Sequence, residues 1–203
     1  MKKLSFLFVM VLLLTTLAGC KKGNVTIKTS EIEQNTMLVK SDGTIQVATV
    51  EEFNQDYYDL NELESFIHDN ITEFNQKVGN DKAIVLDSLD KKKDKAIMVL
   101  EYANMEFYAQ FNEVEAALLE EVTGDTVKSF ATTLIQAGKE EADSAEFESL
   151  KNAKAIVLNE EYDLLLGEKI RYYSKNSTYV DDHKVHTSPD GTSVIIYIGD
   201  SKK

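Results

Sequence analysis

The residues with the widest chemical reach lie near the C-terminus. Asp181-Asp182-His183-Lys184-Val185-His186 puts two carboxylates and two imidazoles within six positions. Carboxylate oxygens and neutral imidazole nitrogens bind divalent metals, which makes Asp182, His183 and His186 the candidate ligands of the chain. Their spacing argues against that role. On an extended strand residues 183 and 186 face opposite sides, because their separation is odd. Only a turn or helix would bring both rings to one ion, and the third histidine, His68, belongs to a distant helical pattern where a half-exposed surface imidazole is expected. The stretch is therefore expected to be an exposed polar strand or loop ahead of Pro189, with no metal and no cofactor. Glu140, Glu141, Asp143, Glu146 and Glu148 lack the Asp-x-Asp-x-Asp-Gly order of a calcium loop and read as a solvated connection. Tyr57-Tyr58 and Tyr172-Tyr173 remain. With Phe53 they line a ligand groove, or each pair splits between core and rim, with at least half of the rings in the core.

No other pattern carries a reaction. The chain has no Gly-x-Ser-x-Gly, no phosphate-binding glycine loop, no His-Glu-x-x-His and no Gly-x-Gly-x-x-Gly, so no catalytic residue is assigned. One cysteine excludes an intramolecular disulfide and a cysteine-based zinc cluster. The 22 basic and 35 acidic side chains give a formal net charge of -13, which repels phosphate backbones and excludes nucleic acid as the expected partner. An apolar share of 43% and a single proline exclude a mainly disordered or proline-rich chain. Its 203 residues suit one domain, or two small ones.

The first twenty residues are more specific. Met1-Lys2-Lys3 is basic, and residues 4–17 are apolar except for Ser5, Thr15 and Thr16. That run is shorter than the ~18–20 apolar residues that cross a bilayer as a lasting helix, and it fits a signal-peptide core. It ends in Leu17-Ala18-Gly19-Cys20. Small residues before a cut let the backbone enter a protease cleft, and a thiol is a good nucleophile for taking an acyl-glycerol group. Here the chain resembles a bacterial lipoprotein precursor, with Leu17, Ala18 and Gly19 as the lipobox recognised by the lipoprotein signal peptidase. The resemblance implies a diacylglyceryl thioether on Cys20 and cleavage between Gly19 and Cys20. The bland alternative is a buried cysteine after an ordinary signal peptide or in a core helix. The leader carries Lys2 and Lys3 and no acid, so its removal leaves a more acidic body. Two acyl chains hold a protein stably on a membrane, while an acidic body stands off from anionic lipid. The implied location is the extracytoplasmic face of the cell membrane, with the lipid on Cys20 as the contact.

The elements that follow suggest an α+β fold of mostly antiparallel strands with two or three amphipathic helices. Residues 1–19 read as signal peptide, 20–34 as acylated N-terminus and tether with one edge strand over 25–27, and 35–199 as a single domain. An alternative division sets 153–199 apart as a small C-terminal β subdomain. Asp42-Gly43 between residues 37–40 and 44–47 marks a hairpin whose two turn positions need positive φ. Leu60, Leu63, Ile67, Ile71, Phe74 and Val78, spaced 3, 4, 4, 3 and 4, form one helical stripe. Asp59 and Glu62 begin it and Gly79 ends it. Residues 83–89 and 95–102 read as strands around a charged turn, and Asn104 caps a short helix carrying Met105, Tyr108 and Phe111. Residues 115–122 fit helix or strand. Val127, Phe130, Leu134 and Ala137 predict a second amphipathic helix ending at Gly138. Strands are expected over 155–158, 162–166, 169–173, 178–185 and 193–198.

The order of the Asp42-Gly43 hairpin, residues 53–58, capped helix, charged hairpin and Tyr108/Phe111 segment resembles small envelope lipoproteins of low-GC Gram-positive bacteria over residues 35–112. That resemblance implies an address and a fold, and no reaction. The anchor and the missing catalytic set together imply a non-enzymatic binding or scaffold role, with an envelope protein, a cell-wall component or a small ligand as partner. A solute-binding lipoprotein of a transporter is the alternative, although such proteins usually need two α/β lobes. A metal-dependent envelope enzyme would rest on residues 181–186 alone.

Overall fold

A computed structural model describes residues 26–130, 132–139 and 151–199. Leu17, Ala18, Gly19 and Cys20, and the acids of 140–148, lie outside the described residues. Within them, two sheets of mostly antiparallel strands and three α-helices make a mixed, strand-rich fold, in outline the expected α+β class.

The first sheet grows from two hairpins. Strands β1 (Thr36–Val39) and β2 (Ile45–Glu52) pair antiparallel around Asp42-Gly43. The turn corrects the sequence reading: Gly43 alone has positive φ, at +91°, and the Asp42 carboxylate accepts the Thr44 N–H at 2.9 Å. A type I′ turn needs positive φ at both central positions; here Lys40 N–H bonds the Thr44 carbonyl at 2.9 Å, which leaves a three-residue loop with one left-handed residue. Strands β3 (Ile84–Lys92) and β4 (Lys95–Tyr102) form the charged hairpin, and β4 pairs with β2 along its whole length.

Helix α1 (Leu60–Val78) follows the sequence stripe. The Asp59 side chain accepts from the N–H groups of Asn61 and Glu62, satisfying donors that a helix start leaves open, and Gly79 takes φ +69° beyond its end. Its stripe buries Ile67, Ile71 and Phe74. Helix α2 (Met105–Asn112) is capped by Asn104, whose side chain accepts from Phe107 N–H. Residues 116–119 resolve as a strand, β5 (Ala116–Leu119).

The expected helix through Val127, Phe130, Leu134 and Ala137 does not form. Helix α3 (Gly124–Ser129) stops after six residues, and β6 (Leu134–Gln136) pairs with β9 (Ile170–Ser174). The helical spacing still marks inward residues: Val127, Phe130 and Leu134 pack into one apolar cluster, reached by helix, loop and strand in turn. The single strand expected over 178–185 is also corrected. It is a hairpin of β10 (Thr178–Asp181) and β11 (Lys184–His186), turned by the Asp181 carboxylate accepting the His183 N–H at 2.7 Å.

With β7 (Ala153–Leu158), β8 (Asp163–Leu166) and β12 (Ser193–Ile198), the sheet orders are β10-β11-β8-β1-β2-β4-β3 and β5-β7-β12-β9-β6. Residues 153–199 thus contribute strands to both sheets, and β8 joins the first by parallel pairing with β1. The main core lies between the sheets, where Met37, Ile45 and Val47 meet Ile156, Leu158 and Ile195 beneath α1 and α2. On the back of the first sheet, Ile27 and Ile32 pack against Leu38, Ala48, Ile97 and Val99. The segment expected as tether is therefore packed from Ile27 onward, with a 3₁₀ turn at Thr29–Glu31 and no strand at 26–27.

Candidate functional site

The face of β2, β3 and β4 that carries the core at one end runs on past the core at the other. Alternation places Thr49 and Glu51 of β2 on that face, opposite Met98 and Ala96 of β4. On β3 the register shifts between Leu86 and Ser88, so Leu89, and not Ser88, stands opposite Met98. That one extra residue turns an apolar side chain into the concavity. The first turns of α1 supply the facing wall with Leu63, Phe66 and Ile67. Residues 53–58, between β2 and α1, close one end with three rings. Phe53 and Tyr58 have centroids 5.0 Å apart at 32°, and Tyr57 meets Tyr58 edge-on at 5.0 Å.

The result is an open groove of about 680 Å³ with a mostly apolar lining. Tyr57 is 76% exposed and Phe66 65% exposed, an unusual surface placement for two large rings that line one concavity. The rim is acidic: Glu51, Glu52, Asp59 and Glu62 line it, and no Lys or Arg does among the described residues. The backbone N–H groups of Asn61 and Glu62 hold the Asp59 carboxyl below its usual range, so it stays ionised. Behind the rim the Lys91 ammonium sits over the Phe53 ring, 5.1 Å from the centroid.

Of the five rings that the sequence offered for a groove, Phe53, Tyr57 and Tyr58 meet there, and the expected split of each tyrosine pair between core and rim does not occur: Tyr57 and Tyr58 are both exposed. Tyr172 and Tyr173 are buried, on opposite sides of the second sheet. Phe66 and Leu89 were missed. Phe66 lies beside the helical stripe, where a lone exposed ring has no periodic signal, and Leu89 depends on a bulge that pairing alone reveals.

Residues 181–186 separate. Asp182 pairs with Lys169 and accepts the Tyr179 hydroxyl at 2.8 Å, which pushes Tyr179 up to about 12. His183 sits in the hairpin turn with Nδ1 3.2 Å from the Leu166 carbonyl. His186 faces elsewhere, with Nδ1 3.2 Å from Asp163 and Nε2 3.1 Å from Glu161. The hairpin supplies the turn that convergence required, and the two rings still part. Among the described residues no group of His, Cys, Asp and Glu forms a metal centre. His68 is a surface residue 3.9 Å from Glu64.

One buried polar group is structural. The Tyr108 and Tyr162 hydroxyls lie 3.1 Å apart, and Asn112 donates to the Tyr102 hydroxyl at 3.2 Å. Burial raises all three tyrosines above their usual range. Nearby, burial also raises Glu160.

Comparison with family models, curated proteins and solved structures finds no match for this chain.

Proposed function

We propose that the chain is a lipid-anchored binding protein of the extracytoplasmic membrane face, with an α+β body, an envelope protein as its partner and no reaction of its own. Leu17-Ala18-Gly19-Cys20 supports the anchor, and the groove between α1 and the first sheet supports binding. The groove is the observation that carries the reading, because exposed rings around an apolar concavity are what protein recognition surfaces use. Neither alternative has a comparable feature: Asp182, His183 and His186 are engaged apart, and the two sheets share one core in place of two lobes about a cleft.

Two measurements test it in the native host. Metabolic labelling with a fatty acid should mark the wild type and fail on Cys20→Ala, which should also leave the membrane fraction. A photoreactive residue at Phe66 should give one discrete adduct, absent when the probe sits at Glu106 on α2. An unlabelled wild type with an intact N-terminus overturns the anchor, and identical adducts from both positions overturn the groove as the binding face.

A further inference from the structure

The groove's chemistry selects one kind of occupant, and this step rests on the binding reading above. Four carboxylates on the rim disfavour an anionic ligand or an anionic lipid surface. They also disfavour a second copy of the chain, which would bring a formal net charge of -13 to the same rim. The floor at Leu63, Leu89 and Met98 offers apolar area that a purely polar cation would leave uncovered. The closed end offers ring faces at two inclinations, and one of these already holds an ammonium, that of Lys91 over Phe53. Aromatic faces attract cations through the ring quadrupole, most strongly when carboxylates stand nearby and water is partly excluded.

We infer that the groove binds a basic amphipathic peptide segment of its partner, with a Lys or Arg head among Phe53, Tyr57 and Tyr58 inside the acidic rim and adjoining apolar side chains on Leu63, Leu89 and Met98. In this arrangement Lys91 is an internal competitor. It occupies the Phe53 face in the free protein and repels the incoming cation.

The test uses the acylated full chain in phosphatidylcholine nanodiscs and fluorescence anisotropy of a labelled Lys-Leu-Lys-Phe-Lys-Leu peptide, with empty discs subtracted. Saturable binding is expected, at least about tenfold weaker for Glu-Leu-Glu-Phe-Glu-Leu and for a serine-substituted neutral peptide. Tyr57→Ala combined with Phe66→Ala should weaken binding about tenfold. Glu51→Gln combined with Glu62→Gln should weaken it severalfold, an effect that high salt erodes. Lys91→Gln should tighten it severalfold, an outcome that general loss of folding cannot imitate. All five positions are exposed, so circular dichroism should match the wild type. Equal affinity for the acidic or neutral peptide, indifference to the ring substitutions, or weakening by Lys91→Gln overturns the inference. A discrete Phe66 adduct whose captured segment lacks basic residues also overturns it, and leaves the binding reading intact.

Discussion

Asp163 shows how a side chain acquires its chemistry from register. The pairing of β8 with β11 sets His186 directly opposite Asp163, and Lys184 reaches the same carboxylate at 2.7 Å. Partial burial pushes the Asp163 carboxyl up, but the bonds from Lys184 and His186 outweigh it and hold the group below 3.8. A carboxyl lowered in the folded state adds stability above its unfolded value, and that stability is lost as pH falls through the folded value. Asp163→Asn should therefore unfold at lower urea than the wild type at neutral pH. The gap should narrow below pH 3.8 as the wild-type carboxyl protonates. A gap that stays constant down to about pH 2.5 would show that Asp163 titrates alike in both states. None of this was legible in the sequence, where the charged cluster spans residues 181–186 and Asp163 lies outside it. Its working partner lies on another strand, reached through a turn that Asp181 makes.

Elements whose signals are local were legible, and those that depend on pairing were not. Helix α1 had its cap, its stripe and its closing glycine within one stretch of sequence. The segment after Ser129 had the same spacing of apolar residues, yet the backbone of residues 134–136 found partners on β9. The joint between α1 and β3 rests on Asn75, which the stripe does not mark. Its side chain donates to the Asp81 and Ile84 carbonyls and accepts the Ile84 N–H at 3.0 Å, imitating a neighbouring strand at the start of β3. Asn75→Ala leaves buried backbone groups unpaired and should destabilise the fold by about 2–3 kcal/mol in urea titration, with an unchanged slope. Gly79 makes a cleaner contrast. Nothing lies within 4 Å of where its Cβ would be, so Gly79→Ala meets only the strain of φ +69°. A loss of about 1 kcal/mol is expected, and none at all would mean that the helix end rearranges freely.

At the scale of the molecule the open question was whether 153–199 stands apart, and the strand orders bear directly on it. Strands β7, β9 and β12 lie in the second sheet, while β8, β10 and β11 extend the first beyond β1. A chain that alternates between two sheets can complete neither until its C-terminal third arrives. The parallel β1–β8 pairing joins Thr36 to Asp163, a separation that makes its closure slow as well as late. The core between the sheets then couples them: Leu158 of β7, fully buried, belongs to the same cluster as Val47 of β2 and Leu100 of β4. Leu158→Ala should destabilise by about 3 kcal/mol, the loss for a buried leucine whose site cannot collapse. If the coupling is real, that loss appears everywhere at once. Hydrogen exchange should show equal losses of protection in β2 and β4 of the first sheet and in β7 and β12 of the second, with one urea transition by every probe. A loss confined to 153–199, or two transitions, would establish a separable C-terminal unit and would uncouple the groove on β2, β3 and β4 from the strands that follow. Coupling would instead make the groove's rigidity a property of the whole chain, so that a substitution at Leu158, remote from every ring, also weakens binding in proportion to the population it unfolds.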